Sequence, residues 1–208
     1  WDEIRELANA GVTIGNHSAA HEYMWKMNNK EREEDLNRAQ KRFREELNFA
    51  PTLFAYPFGE YDKDLSNEIN KRGFEGAFGQ QSGAISSSSN PMLLPRFSLN
   101  ETYGNLNRFK LIVDTLALNI TDLSPEDPIL IENPPNIGFT LAKEYTSIAD
   151  KLACFASGQG QTEIELLGPL RVEVRLKKAF LKGRNRLNCT LPGPEKRYYW
   201  LGLQFIVP

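Results

Sequence analysis

Apolar and polar positions follow two different periods along this chain, and the change falls near residue 120. Trp1, Ile4, Leu7 and Ala8 recur at helical spacing, with Gly11 placed to stop the helix. A short strand-type stretch, Val12–Gly15, leads into the polar segment Asn16–Glu22. The charged run from Asn29 to Leu47 carries Leu36, Ala39, Phe43 and Leu47 at i, i+3, i+7 and i+11, one apolar stripe on an otherwise solvated helix. Thr52–Ala55 is a second strand, ending in Tyr56-Pro57-Phe58-Gly59. Tyr61–Arg72 is a helix closed by Gly73, and Phe74–Phe78 a third strand. Leu93–Leu99 is a candidate fourth strand whose pairing Pro95 restricts. Leu106, Phe109, Ile112 and Leu116 give Asn105–Leu118 a helical spacing. This alternation predicts parallel strands joined by crossover helices.

Beyond residue 120 the period shortens to two. Val172, Val174 and Leu176 share one face of Arg171–Phe180, while Glu173, Arg175 and Lys177 share the other. Glu163–Leu167, Arg186–Thr190 and Tyr198–Val207 are further strands, set apart by the Gly168-Pro169 and Gly193-Pro194 turns. Pro125, Pro128, Pro134 and Pro135 mark a stiff connector. The expected organisation is an α/β part over 1–120, a Pro-rich linker over 121–138, and a small all-β, sandwich-like part over 139–208.

Composition narrows the chemistry. Among 208 residues, Lys and Arg number 25 against 27 Asp and Glu, so no basic excess favours nucleic acid as a partner. No apolar run approaches the ~18–20 residues of a membrane helix. Two cysteines exclude both a disulfide-framework miniprotein and an all-cysteine zinc site. Cys154 and Cys189 flank the strand-rich part and are either a disulfide, worth about 3–4 kcal/mol by chain entropy, or two buried thiols. The chain opens on Trp1 in what reads as the middle of a protein, so it is expected to be a processed product or a piece of a longer chain. Two histidines allow at most one histidine-based site, and both occur in Asn16-His17-Ser18-Ala19-Ala20-His21. If helix begins at Ser18, His17 and His21 stand one turn apart and converge on one atom. Such a pair suits zinc or another divalent metal. The alternative is two surface histidines at a helix start. The carboxyl end of a strand in a parallel sheet is a common ligand site.

The stretch Gly15–His21, followed by Phe54-Ala55-Tyr56-Pro57-Phe58-Gly59, resembles the second and third motifs of the NodB-like polysaccharide deacetylases, carbohydrate esterase family 4. Gly79–Gly83 and Leu94-Pro95-Arg96-Phe97 extend the resemblance over about residues 1–100. It implies a (β/α) barrel, here incomplete, followed by an appended β domain. It also implies metal-dependent hydrolysis of N-acetyl groups on an N-acetylated polysaccharide, in the periplasm, cell envelope or secreted. On that resemblance His17 and His21 are metal ligands, the Phe58 N–H is the oxyanion donor, and Tyr56, Pro57 and Gly59 border the substrate. Tyr56 and Phe58 either face a sugar ring or form a packed aromatic pair. The family's Asp-Asp strand end is missing from all 208 residues. With it go the third metal ligand and the general base, so the chain alone is expected to be inactive. An alternative is a carbohydrate-binding or envelope protein with a degenerate deacetylase part, in which Tyr198, Tyr199 and Trp200 stack on sugars. A purely structural zinc is disfavoured, since no cysteine lies near His17. The oligomeric state is not legible in the sequence.

Overall fold

Two helices open the chain in the computed structural model, which describes residues 1–208. Helix α1 (Asp2–Asn9) stops ahead of Gly11, whose φ of 84° is left-handed. Helix α2 (Asn29–Leu47) spans the whole charged run and begins on a capping box. The Asn28 side chain accepts from the Glu31 N–H at 3.0 Å while the Glu31 carboxylate accepts from the Asn28 N–H at 2.9 Å. Two amide donors near the helix start are thereby satisfied. Leu36 and Ala39 of the α2 stripe are buried, and Phe43 meets Trp1 edge-on at 5.5 Å.

Strands β1 (Leu53–Ala55) and β2 (Gly76–Phe78) pair in parallel, and helix α3 (Lys63–Lys71) is the crossover between them. Single parallel bridges, Asn16↔Phe54 and Phe78↔Leu94, extend this pair on either side. The parallel order follows the expected alternation, but the strands anticipated at Val12–Gly15 and Leu93–Leu99 shrink to one bridge each. Only Asn16 exchanges backbone bonds with β1, and Pro95 has no N–H to continue a ladder. Met24, Leu36, Phe54, Leu65, Ile69 and Phe74 interlock as the core.

The second half builds two sheets. Helix α4 (Leu106–Val113) precedes strands β3 (Leu116–Ala117), β4 (Ile120–Ser124), β5 (Ile137–Leu141), β6 (Ala153–Ala156) and β7 (Gly160–Gln161). Strands β8 (Glu163–Leu167), β9 (Arg171–Arg175), β10 (Gly183–Pro192) and β11 (Tyr198–Val207) complete the order. One sheet runs β3-β11-β10-β6-β7 and the other β4-β5-β9-β8, antiparallel except where β3 joins β11. Val172 and Val174 are buried beside Phe139 and Leu141, as the period-two pattern requires. Cys154 and Cys189 face each other across β6 and β10, wholly buried, and are joined as a disulfide.

The chain divides into two compact units, Trp1–Gly79 with Asn90–Leu94, and Gln80–Ser89 with Pro95–Pro208. Residues 95–120, whose spacing groups them with the first part, therefore lie in the second. The cause is long-range: Leu116 pairs with Tyr199, and Arg197 Nε donates to the Asp114 carbonyl at 2.7 Å. The Pro-rich stretch is likewise tied down, because Leu130 N–H donates to the Ile206 carbonyl at 2.8 Å and Ile206 N–H donates to the Pro128 carbonyl at 2.7 Å. No helix is long and apolar enough to cross a membrane.

The disulfide closes a loop with a sequence separation of 35, for which chain entropy gives about 3–4 kcal/mol. Replacing both cysteines by Ser is expected to lower the urea midpoint of the β unit by a corresponding amount. An unchanged midpoint by tryptophan fluorescence would contradict that account.

Candidate active site

The segment that carries both histidines is not helical. Ser18 and His21 have left-handed φ values of 65° and 53°, so the expected helix from Ser18 is replaced by an irregular turn. Four successive amides in this turn lack helix or strand partners, and each donates to a side chain. Ser18 N–H reaches Asn16 Oδ1 at 2.9 Å, Ala19 N–H reaches Asp35 Oδ1 at 2.8 Å, and Ala20 N–H reaches Asp35 Oδ2 at 2.9 Å. His21 N–H reaches Ser18 Oγ at 2.9 Å. With no helix or strand to pair them, these amides follow their side-chain acceptors, which fix the path of the turn.

That path brings the two imidazoles together by a route the sequence did not suggest. Their ring centroids lie 4.8 Å apart at an interplanar angle of 68°. His17 Nδ1 stands 2.6 Å from the Ala55 carbonyl oxygen at the end of β1. A carbonyl only accepts, so Nδ1 donates in this contact and Nε2 is the nitrogen left to ligate. This is the tautomer and anchoring that metal-ligating histidines use. No group of three or more His, Cys, Asp or Glu in the chain is arranged to hold a metal ion. The donor chemistry thus fits zinc or another divalent cation as far as two imidazoles go and supplies no third ligand.

The Tyr56–Gly59 segment stands against this pair. Pro57–Gly59 forms a tight turn closed by Gly59 N–H to Tyr56 O at 2.8 Å. Phe58 is left-handed at φ 57°, a conformation that costs a bulky residue of order 1–3 kcal/mol and that clusters at functional sites. The Phe58 ring meets His21 edge-on at 4.5 Å and stacks on Tyr23 at 4.2 Å. Tyr56 departs from the expectation of a sugar-facing residue. Its side chain is fully buried, its hydroxyl donates to the Met92 carbonyl at 2.9 Å, and its ring packs on Phe54 and Tyr61. Pro57 and Gly59 are also buried, which leaves Phe58 as the half-exposed member of the motif. In the β unit, Tyr199 packs on Tyr145 at 4.8 Å and Trp200 Nε1 donates to Asn188 Oδ1 at 3.2 Å. Of the three aromatics considered there for sugar stacking, only Tyr198 is exposed.

Sequence reasoning missed Asp35, the Ala55 carbonyl and Tyr23. A signal for Asp35 was present: Arg32, Asp35, Leu36 and Ala39 are the buried residues of α2 and fall at i, i+3, i+4 and i+7. Two charges on the core stripe of a helix call for buried partners. Arg32 has its own, donating from Nε to the Met24 carbonyl at 2.7 Å and pairing with Asp62.

Residues 1–77 match the family model for polysaccharide deacetylase. Among solved structures, the chain is similar to the Streptococcus pyogenes deacetylase PplD in complex with acetate, at 14% identity and a TM-score of 0.49. That alignment covers 53% of this chain and 49% of that one. It is also similar to a polysaccharide deacetylase from Bacillus cereus, at 22% identity and a TM-score of 0.47, covering 52% of this chain and 34% of that one. The chain thus spans about half or less of each of these proteins.

Burial, followed by the charges of Tyr61 and Asp62, pushes the Tyr56 phenol far above its ordinary value. The unfolded chain releases this proton as pH passes about 10, whereas the folded protein retains it. The contribution is therefore complete below pH ~10 and is lost as pH rises beyond it. In Tyr56→Phe, stability is expected to fall less steeply between pH ~9 and ~11, alongside a constant loss of about 0.5–1.5 kcal/mol for the missing hydrogen bond. Equal slopes in urea titrations of the two proteins would refute the assignment.

Proposed function

We propose that the chain is part of a metal-dependent polysaccharide N-deacetylase that hydrolyses N-acetyl groups of an amino-sugar polymer. The observation that carries this reading is the meeting of His17 and His21 beside the Pro57–Gly59 turn, with His17 Nδ1 committed to Ala55 and Nε2 left available. His17 and His21 would hold zinc or another divalent cation. Such an ion, when bound, supplies positive charge where a tetrahedral oxyanion grows and makes water nucleophilic near neutral pH.

The chain's own groups divide the remaining work. The backbone N–H of Phe58 is assigned to the oxyanion, and its ring, flanked by Tyr23, forms an apolar wall beside the imidazoles. Pro57 and Gly59 shape the turn that presents that N–H. Ala55 fixes the His17 tautomer through its carbonyl. No Asp-Asp pair occurs in the sequence, and no carboxylate joins the two imidazoles in a metal-binding group. The remaining ligand and the general base are accordingly assigned to residues outside these 208, and the chain alone is proposed to be inactive. The disulfide suits an oxidising compartment, in keeping with action in the periplasm, at the cell envelope or outside the cell.

The test is acetate release from an N-acetylated glucosamine oligomer. A longer form of the protein that includes an Asp-Asp strand end is expected to release acetate. His17→Ala or His21→Ala in that form should reduce the rate by more than about 100-fold, the scale of a directly acting group. Vigorous release by the 208-residue chain alone would overturn the assignment of the base to residues outside it.

A further inference from the structure

The two oxygens of one buried carboxylate hold two of the three residues that separate the imidazoles. Asp35 is 3% exposed and lies on α2, on the stripe it shares with Leu36 and Ala39. Its Oδ1 accepts from Ala19 N–H and its Oδ2 from Ala20 N–H, so each oxygen fixes one peptide of the Ser18–Ala20 bridge between His17 and His21. A third contact, from Arg38 at 3.0 Å, comes from a side chain that is itself largely exposed. We infer that Asp35 is the positioning residue of the histidine pair: it sets the separation and direction of the two imidazoles, and through them the affinity for a divalent cation, without touching that cation. This rests on the metal-binding reading above and adds to it the residue that organises the site.

The physical argument runs through the amides. The turn has no helix or ladder of its own, and its left-handed residues Ser18 and His21 need an external restraint to stay in place. Two adjacent N–H groups point at one spot, which suits a carboxylate because it offers acceptors alone. An amide in the same place would turn its NH₂ towards one of those N–H groups, and one peptide would have to rotate away. His21 directly follows Ala20, and His17 lies two residues before Ala19. A rigid acceptor on a capped, well-packed helix gives the pair the fixed support that a functional site requires.

The experiment uses the 208-residue chain, with Co²⁺ as a spectroscopic probe of imidazole ligation. His17→Ala should abolish the cobalt spectrum. Asp35→Asn should weaken cobalt binding by about 10–100-fold, the range found when outer-shell partners are removed, with an altered visible spectrum and a circular dichroism signal that remains folded. Arg38→Ala, which leaves both amide bonds to Asp35 in place, should bind cobalt within about 2-fold of the unmodified chain, since the Arg38 end of this pair is largely exposed and touches neither amide. A folded Asp35→Asn protein with unchanged affinity and spectrum would overturn the inference while leaving the metal reading intact. If the unmodified chain shows no His17-dependent binding, the metal reading fails. The role of Asp35 is then decided by long-range ¹H–¹⁵N spectra of the imidazoles: Asp35→Asn should lose the single Nδ1–H tautomer of His17, and its retention would dismiss Asp35 as a positioning residue.

Discussion

Two neighbouring peptide N–H groups, those of Ala19 and Ala20, must find acceptors where neither a helix nor a strand provides any, and the buried carboxylate of Asp35 meets both. Much of the site follows from that constraint. The turn it braces carries the histidines towards each other, and the end of β1 supplies the carbonyl that orients one of them. The Phe58 ring then closes against the other. Helix, strand end and tight turn each contribute one rigid element. The part least regular in backbone terms is therefore held by some of the most deeply packed residues of its unit.

The parts of the fold legible in the sequence are those with a strong local signal. The helix Asn29–Leu47 and the strands Glu163–Leu167 and Tyr198–Val207 have the anticipated bounds because periodicity and flanking caps agreed. Ile137–Leu141 escaped notice: four of its five residues are buried, so the strand lacks alternation, and it follows directly on a Pro-rich stretch. The short strand Leu116–Ala117 was hidden for a different reason. Its spacing continues that of the helix before it, and only pairing with Tyr199 and Trp200, far away in the chain, converts it to extended backbone.

The candidate site divides in the same way. The identities of His17, His21 and the Tyr56–Gly59 turn could be read from motif and spacing, and the structure brings them together. The means of bringing them together could not, because a His-x-x-x-His spacing looks helical until the acceptors for the intervening amides are known. Tyr56 illustrates the limit of motif reasoning about side chains. An aromatic at a strand end can face ligand or core, and here the neighbouring Phe54, Tyr61 and the Met92 carbonyl draw it inward.

The assignment of segments to the two units has a consequence for how the gene can be dissected. The polypeptide passes from one unit to the other after Gly79, returns after Ser89 and leaves again after Leu94. No single scission separates the two units cleanly, each whole and free of the other's residues. A truncation at any one position strands Gln80–Ser89, Asn90–Leu94 or the residues that follow on the wrong fragment. Separating the halves would require two internal joins, Gly79 to Asn90 in one gene and Ser89 to Pro95 in the other.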